Sequence, residues 1–289
     1  MSVALGIVTG LLAARFLVLS GGDVLRTGAL QRENYRGHRL PTAGGVIVVL
    51  ALLVVEAGRA SAGALGVGEE SGLTEARALV LFACLGFGLL GLLDDLLGEG
   101  EERGFRGHVA ALVQGRVTTG ALKAFGGVGV AVILVATPGF VGGRRIVVDA
   151  VIIALAANLG NLLDRAPGRT VKVALAAYVP LAVVAGTGPV GVALAPVMGA
   201  TAGLLGDDLR ERLMLGDTGA NVIGGVVGLG AVLVLGDGAR LVVLVGLLAL
   251  NLLSEVVSFS RVIEGVAPLR ALDLLGRRRP PRWRGRSPA

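Results

Sequence analysis

Nine apolar runs follow one another along this 289-residue chain and constrain its fold more than any other feature. They cover residues 2–20, 44–58, 78–97, 119–138, 146–163, 171–186, 189–205, 219–236 and 240–260. A membrane-crossing helix needs about 20 mostly apolar residues. Within lipid, the backbone groups of such a run must bond to one another, which a helix achieves. The expected class is therefore all-α: a polytopic helical membrane protein with about nine to ten transmembrane helices. Only 17% of the residues are charged, against about 25% in a soluble domain. Glycine is abundant, at 48 residues, and in lipid small residues let helices approach closely. The single cysteine, Cys84, lies inside an apolar run and excludes an intramolecular disulfide or a thiolate metal cluster. The first run lacks a basic leader and a convincing cleavage site, so it reads as a retained span.

The basic residues divide unevenly between the runs. Counting Lys172 and Arg240, at the openings of their runs, with the stretches before them, twenty Lys and Arg fall after odd-numbered runs and five after even-numbered ones, while Arg15 and Lys123 lie deeper inside runs. Positive charge stays on the cytoplasmic side. The N-terminus is thus expected outside and the C-terminus inside. Residues 1–276 read as one integral membrane domain and 277–289 as a basic, Pro-containing tail, expected to be disordered against anionic headgroups. Nothing in the chain reads as a nucleic-acid-binding module.

The unusual polar residues gather on the same face. Asp94 and Asp95 close the third run, flanked by leucines. Carboxylates near lipid are functional candidates by default, although at a helix end they can simply be solvated. Asn158, Asn161 and Asp164 close the fifth run at i, i+3 and i+6, a spacing that shares one helical stripe. The bland alternative is an amide pair joining helices. Gly216-Asp217-Thr218-Gly219 opens the eighth run, where Asp217 is either a plain N-cap or part of an anion-handling helix end. Lys123 opens the fourth run, either snorkelling to the interface or pairing with a phosphate. Oxygen ligands without nearby His or Cys suit Mg²⁺, or Mn²⁺.

The order of these blocks resembles the polyprenyl-phosphate N-acetylhexosamine-1-phosphate transferase superfamily, which includes the phospho-MurNAc-pentapeptide translocase and the enzymes that start O-antigen or teichoic acid assembly. Pro41-Thr42-Ala43-Gly44-Gly45 is similar to the family's P-T-x-G-G segment. Asp94-Asp95 and the later Lys123 are similar to its aspartate pair and lysine. Asn158-x-x-Asn161-Leu162-x-Asp164 is similar to N-x-x-N-L-x-D, and Gly216-Asp217-Thr218-Gly219 to G-D-x-G. The resemblance implies transfer of a sugar-1-phosphate from a UDP-sugar to a membrane polyprenyl phosphate such as undecaprenyl phosphate. UMP is released, Mg²⁺ is required, and the reaction takes place at the cytoplasmic face of the bacterial plasma membrane during cell-wall biogenesis. It implies Asp94, Asp95 and Asp217 as catalytic residues and metal ligands. It implies Thr42, Gly44, Lys123, Asn158, Asn161 and Asp164 as substrate-binding residues. The partners implied are the lipid and the nucleotide sugar, with a homodimer left open.

Two features depart from the family pattern. Asp164 is followed by Arg165-Ala166-Pro167-Gly168-Arg169, which places Pro167 where a second aspartate is expected. Family members commonly carry a His-rich stretch in the last cytoplasmic loop, whereas the two histidines here are His38 and His108. The alternative expectation is a catalytically silent relative that binds polyprenyl phosphate or a cell-envelope enzyme.

Overall fold

The computed structural model describes residues 2–21, 24, 27–34, 36–68, 72–98, 118–136 and 143–278. Arg103, Arg106, Arg116, His108 and the tail from residue 279 lie outside the described residues. Nine helices of 17 residues or more form among those described: α1 (Val3–Ser20), α2 (Val46–Ala64), α3 (Glu75–Leu97), α4 (Thr119–Val135), α5 (Gly143–Leu163), α6 (Arg169–Ala185), α7 (Pro189–Leu209), α8 (Gly216–Val234) and α9 (Asp237–Val256). Two short helices follow, α10 (Phe259–Gly265) and α11 (Ala267–Leu274). Seven of the nine are long and apolar enough to cross a membrane, while α4 is a shorter apolar helix. The architecture is that of an all-α, multi-pass membrane protein.

Helix starts follow local chemistry. Ser2, Thr74 and Thr118 each accept a hydrogen bond from the backbone N–H three residues on, satisfying a donor that the first turn leaves open. Pro189 opens α7, where its missing N–H carries no penalty.

The bundle is built around α8. Its central window is 72% buried, against 11% for α9, so α8 is core and α9 is peripheral. Helices α3 and α5 flank α8, and α1 lies along α7. Glycines set these separations. A Cβ on Gly160 would stand 2.3 Å from the Ala220 carbonyl oxygen, and one on Gly224 2.3 Å from that of Ala156, so α5 and α8 touch backbone to backbone.

One element departs from the all-α expectation. Strands β1 (Gln31–Glu33) and β2 (Arg39–Pro41) form an antiparallel hairpin, with Gln31 opposite Pro41 and Glu33 opposite Arg39. Asn34 shapes its turn by accepting from the N–H groups of Arg36 (2.9 Å) and His38 (3.0 Å), an Asx-type device. The hairpin lies against the end of the bundle that carries the start of α8: Arg32 donates to the Asp95 carbonyl at 3.0 Å and caps the last turn of α3.

Candidate active site

The site is assembled around the N-terminus of α8. The residue preceding that helix, Leu215, offers no side-chain cap. Asp95 on α3 supplies it instead, accepting from the N–H of Asp217 (3.0 Å), the N–H of Thr218 (2.9 Å) and the Thr218 hydroxyl (2.6 Å). Both oxygens of Asp95 are engaged, and the residue is buried. Asp95, expected as a metal ligand and catalytic group, here serves as an N-cap delivered to α8 from another helix, and it also lines the cavity described below.

Glycines again permit the approach. A Cβ on Gly91 would lie 2.5 Å from the Asp217 carbonyl oxygen and from the Thr218 Cα. Gly216 has φ 71°, and a Cβ there would meet the Thr42 carbonyl oxygen at 2.1 Å. Glycine is the residue that tolerates both demands.

The Pro41–Gly45 segment runs beside residues 213–216. Met214 N–H donates to the Pro41 carbonyl (2.7 Å), Gly44 N–H to Met214 (3.0 Å) and Gly45 N–H to Leu215 (2.8 Å). Gly45 packs directly on Gly219. A Cβ on Gly44 would stand 2.7 Å from both the Leu213 side chain and the Met214 carbonyl. Gly44, expected as a substrate-binding residue, thus allows a close approach to this segment. Thr42 is buried but lines the cavity described below.

Asp94 faces another way, because consecutive helical residues point about 100° apart. Its Oδ2 lies 2.8 Å from Lys123 Nζ, which also reaches Asp217 Oδ2 at 2.5 Å. Asn161 completes the group. With its amide oriented to satisfy both ends, its nitrogen donates to Asp217 Oδ1 (3.0 Å) and its oxygen accepts from Lys123 Nζ (2.5 Å). Four helices, α3, α4, α5 and α8, thus each contribute one polar side chain to a partly buried group with two carboxylates for one ammonium.

Asn158 does not join them. It lies on the exposed side of α5 and donates to Asn251 Oδ1 of α9 at 2.7 Å. The structure places Asn158, expected as a substrate-binding residue, in a helix-joining amide pair. Residues three apart on a helix differ by about 60° in direction, and here that difference separates α8 from α9.

A cavity of about 270 Å³ opens beside Asp217 and is lined by hairpin residues Glu33, Asn34 and Leu40 together with Asp95, Asp164, Arg165, Pro167, Asp208 and Glu211. Counting Asp217, its wall carries six carboxylates and one guanidinium, that of Arg165. Asp164 sits just beyond α5. Burial, and then the charges of Asp208, Asp217 and Asp95, hold its carboxyl well above the usual range.

Asp208 and Glu211 are not picked out by sequence pattern. Asp208 accepts from the Gly168 N–H at 2.9 Å, and its one sequence signal is a second Asp-Asp pair at a run's end. Its neighbour Asp207 turns away to pair with Arg15 and Arg212. Glu211, held by Asn34 (2.9 Å) and Arg36 (3.1 Å), has φ 55°. It is the one non-glycine with positive φ among the described residues, and such backbone strain concentrates at functional sites.

Among the described residues no group of three or more His, Cys, Asp and Glu is arranged as a metal cage. The donor set nevertheless fits Mg²⁺, which is commonly held by one or two carboxylates with substrate phosphates completing the shell. Asp94 and Asp217 each place an oxygen within 3 Å of a single point, now taken by Lys123 Nζ, and the Asn161 amide oxygen borders the same point.

No family model matches the chain. The chain is similar to the phospho-N-acetylmuramoyl-pentapeptide-transferase of Deinococcus radiodurans, with 32% identity over 196 residues. The matched region is 64% of this chain, and the chain spans 59% of that relative's length.

Proposed function

We propose that this protein transfers a sugar-1-phosphate from a UDP-sugar to a membrane polyprenyl phosphate and releases UMP, in bacterial cell-envelope glycan synthesis. The observation that carries the reading is the meeting of Asp94, Lys123, Asn161 and Asp217 from four helices beside an open acidic cavity. The similarity to the pentapeptide transferase supports it.

In this reaction an oxygen of the lipid phosphate attacks the phosphorus that bears the sugar. The P–O bond to UMP breaks, and UMP leaves with its electron pair. Both substrates are anionic and so is the cavity wall, so the chemistry needs counter-charge. Mg²⁺, or Mn²⁺, bound with the nucleotide supplies that charge at the pyrophosphate. Asp94 and Asp217 are the residues that would hold it, with the Asn161 amide oxygen beside them.

Lys123 brings an ammonium to the same place and can pair with a phosphate oxygen. Asp95 fixes the start of α8 and so fixes where the Asp217 carboxylate stands. Asp164 holds a proton at its carboxyl more readily than an ordinary aspartate, which lessens repulsion of the nucleotide. The twenty-to-five division of basic residues supports placing this end of the bundle on the cytoplasmic side of the plasma membrane.

A second reading is a silent relative that binds polyprenyl phosphate or a cell-envelope enzyme without turnover. Pro167 on the cavity wall favours it, since a side chain with no charge stands where the resemblance expects an aspartate. Purified full-length chain should release UMP from some member of a UDP-sugar panel when undecaprenyl phosphate and Mg²⁺ are present. Because the histidines of this sequence are His38 and His108, both early in the chain, the MurNAc-pentapeptide nucleotide should be a poor donor. Robust turnover of that donor would refute the specificity expectation. Lipid binding without turnover of any donor would establish the silent reading.

A further inference from the structure

Lys123 occupies the very point at which a divalent cation would meet the site's oxygens. Its ammonium has three N–H donors. Three acceptors surround it: Asp94 Oδ2 at 2.8 Å, Asp217 Oδ2 at 2.5 Å and the Asn161 amide oxygen at 2.5 Å. The ammonium is thus coordinated on all its donors by oxygens from three other helices. Mg²⁺ sits about 2.1 Å from each oxygen ligand, so it cannot stand at the point the ammonium nitrogen now occupies, and with Lys123 in place it must compete for the same carboxylate charge.

We infer that Lys123 is a resident cation that keeps the substrate-free site closed to divalent metal, and that the two cations exchange when the nucleotide arrives. The inference rests on the proposed phosphoryl-transfer reading for the identity of the incoming ion, but the competition itself follows from charge. Two carboxylates half compensated by an internal ammonium bind a second cation more weakly than two that are not. A pyrophosphate tips the balance in two ways: it adds oxygens to the metal's shell and offers the displaced ammonium a new anionic partner. Asn161 remains as the common neighbour, since its amide touches both Lys123 and Asp217. The exchange makes metal occupancy depend on substrate, so an acidic cavity open to the surface is not filled permanently by abundant divalent ions.

The test measures Mn²⁺ binding to the full chain in detergent, without nucleotide, by electron paramagnetic resonance. Lys123→Met removes the competing charge and should bind Mn²⁺ at least about tenfold more tightly than the parent, the scale of one nearby unit charge. Lys123→Gln, run alongside in case the first variant folds poorly, should show the same gain. Lys123→Arg keeps the charge and should bind as weakly as the parent. Adding Asp217→Asn to Lys123→Met should abolish the gain. Unchanged or weaker Mn²⁺ binding in both neutral variants, including no binding at all, overturns the inference. UMP release by the parent chain is followed in parallel. Turnover with unchanged Mn²⁺ affinity would reject the exchange and leave the phosphoryl-transfer reading standing, whereas tight Mn²⁺ binding without turnover would do the reverse.

Discussion

The two ends of α3 each carry buried charge, but they hold it differently. At its start, Arg77 donates to Glu56 of α2 through Nε at 2.8 Å and through a second guanidinium nitrogen, and to the Gly72 carbonyl at 2.9 Å. Arg59 takes the other Glu56 oxygen at 3.2 Å. Every acid oxygen is satisfied, cations outnumber anions, and both Glu56 and Arg77 are buried. About 25 Å away along the helix, Asp94 shares a single ammonium with Asp217 beside an acidic cavity. The first cluster is a staple between helices. The second has excess negative charge and space next to it, which is the condition for taking up a cationic or cation-bearing ligand. Buried ion pairs as such do not mark a site; an unbalanced group facing a cavity does.

The sharpest break of this comparison is Arg77→Met. It leaves Glu56 buried without its main partner, and removing one member of a buried pair costs about 3–5 kcal/mol. Thermal unfolding in detergent should register that loss, while UMP release per folded molecule should be unchanged. A proportionate loss of turnover in folded protein would erase the distinction between staple and site.

Gly91→Ala probes the link between packing and chemistry. The added methyl would press on the Asp217 carbonyl and the Thr218 Cα, both backbone atoms that cannot rotate away. Overpacking of this kind costs about 1–3 kcal/mol, and here the displaced part is the start of α8. Turnover should fall further than stability does. A variant that is destabilised but fully active per folded molecule would show that the position of α8 is not critical.

Asn158→Ala should have the smallest effect. An interhelical amide bond within a membrane protein contributes about 0.6 kcal/mol, so the contact between α5 and α9 should loosen slightly while turnover stays near that of the parent. Asn161→Ala, three residues on, should lose activity. Equal losses in the two variants would restore Asn158 to the site.

These contrasts also show what the sequence could and could not convey. The nine helices are legible because each apolar run has one backbone solution in lipid. The hairpin is not, because Gln31-Arg32-Glu33 and Arg39-Leu40-Pro41 are too short and too polar to carry a strand pattern. The motif blocks point to one end of the bundle, where the structure does bring several of their residues together, yet they do not say which residue meets which. Asp94 and Asp95 are indistinguishable as neighbours in a string. On a helix they diverge, one toward Lys123 and the other onto the α8 N-terminus. Asn158 and Asn161 part in the same way. Asp208 and Glu211 read as ordinary charges in a polar stretch, and only the chain's turn after α7 brings them to the cavity wall.

The central claim is that the group around Lys123 is where the chemistry takes place. Its most direct test is Mg²⁺-dependent UMP release by Asp217→Asn, which keeps the side chain's volume while removing its charge. With the fold intact, turnover should drop by about 10²–10³, the loss seen when an electrostatic stabiliser is deleted from an active site. Arg210→Gln changes an exposed charge at the same end of the bundle and should cost far less. An active parent enzyme whose Asp217→Asn variant keeps more than about a tenth of its rate, well short of that loss, would contradict the account.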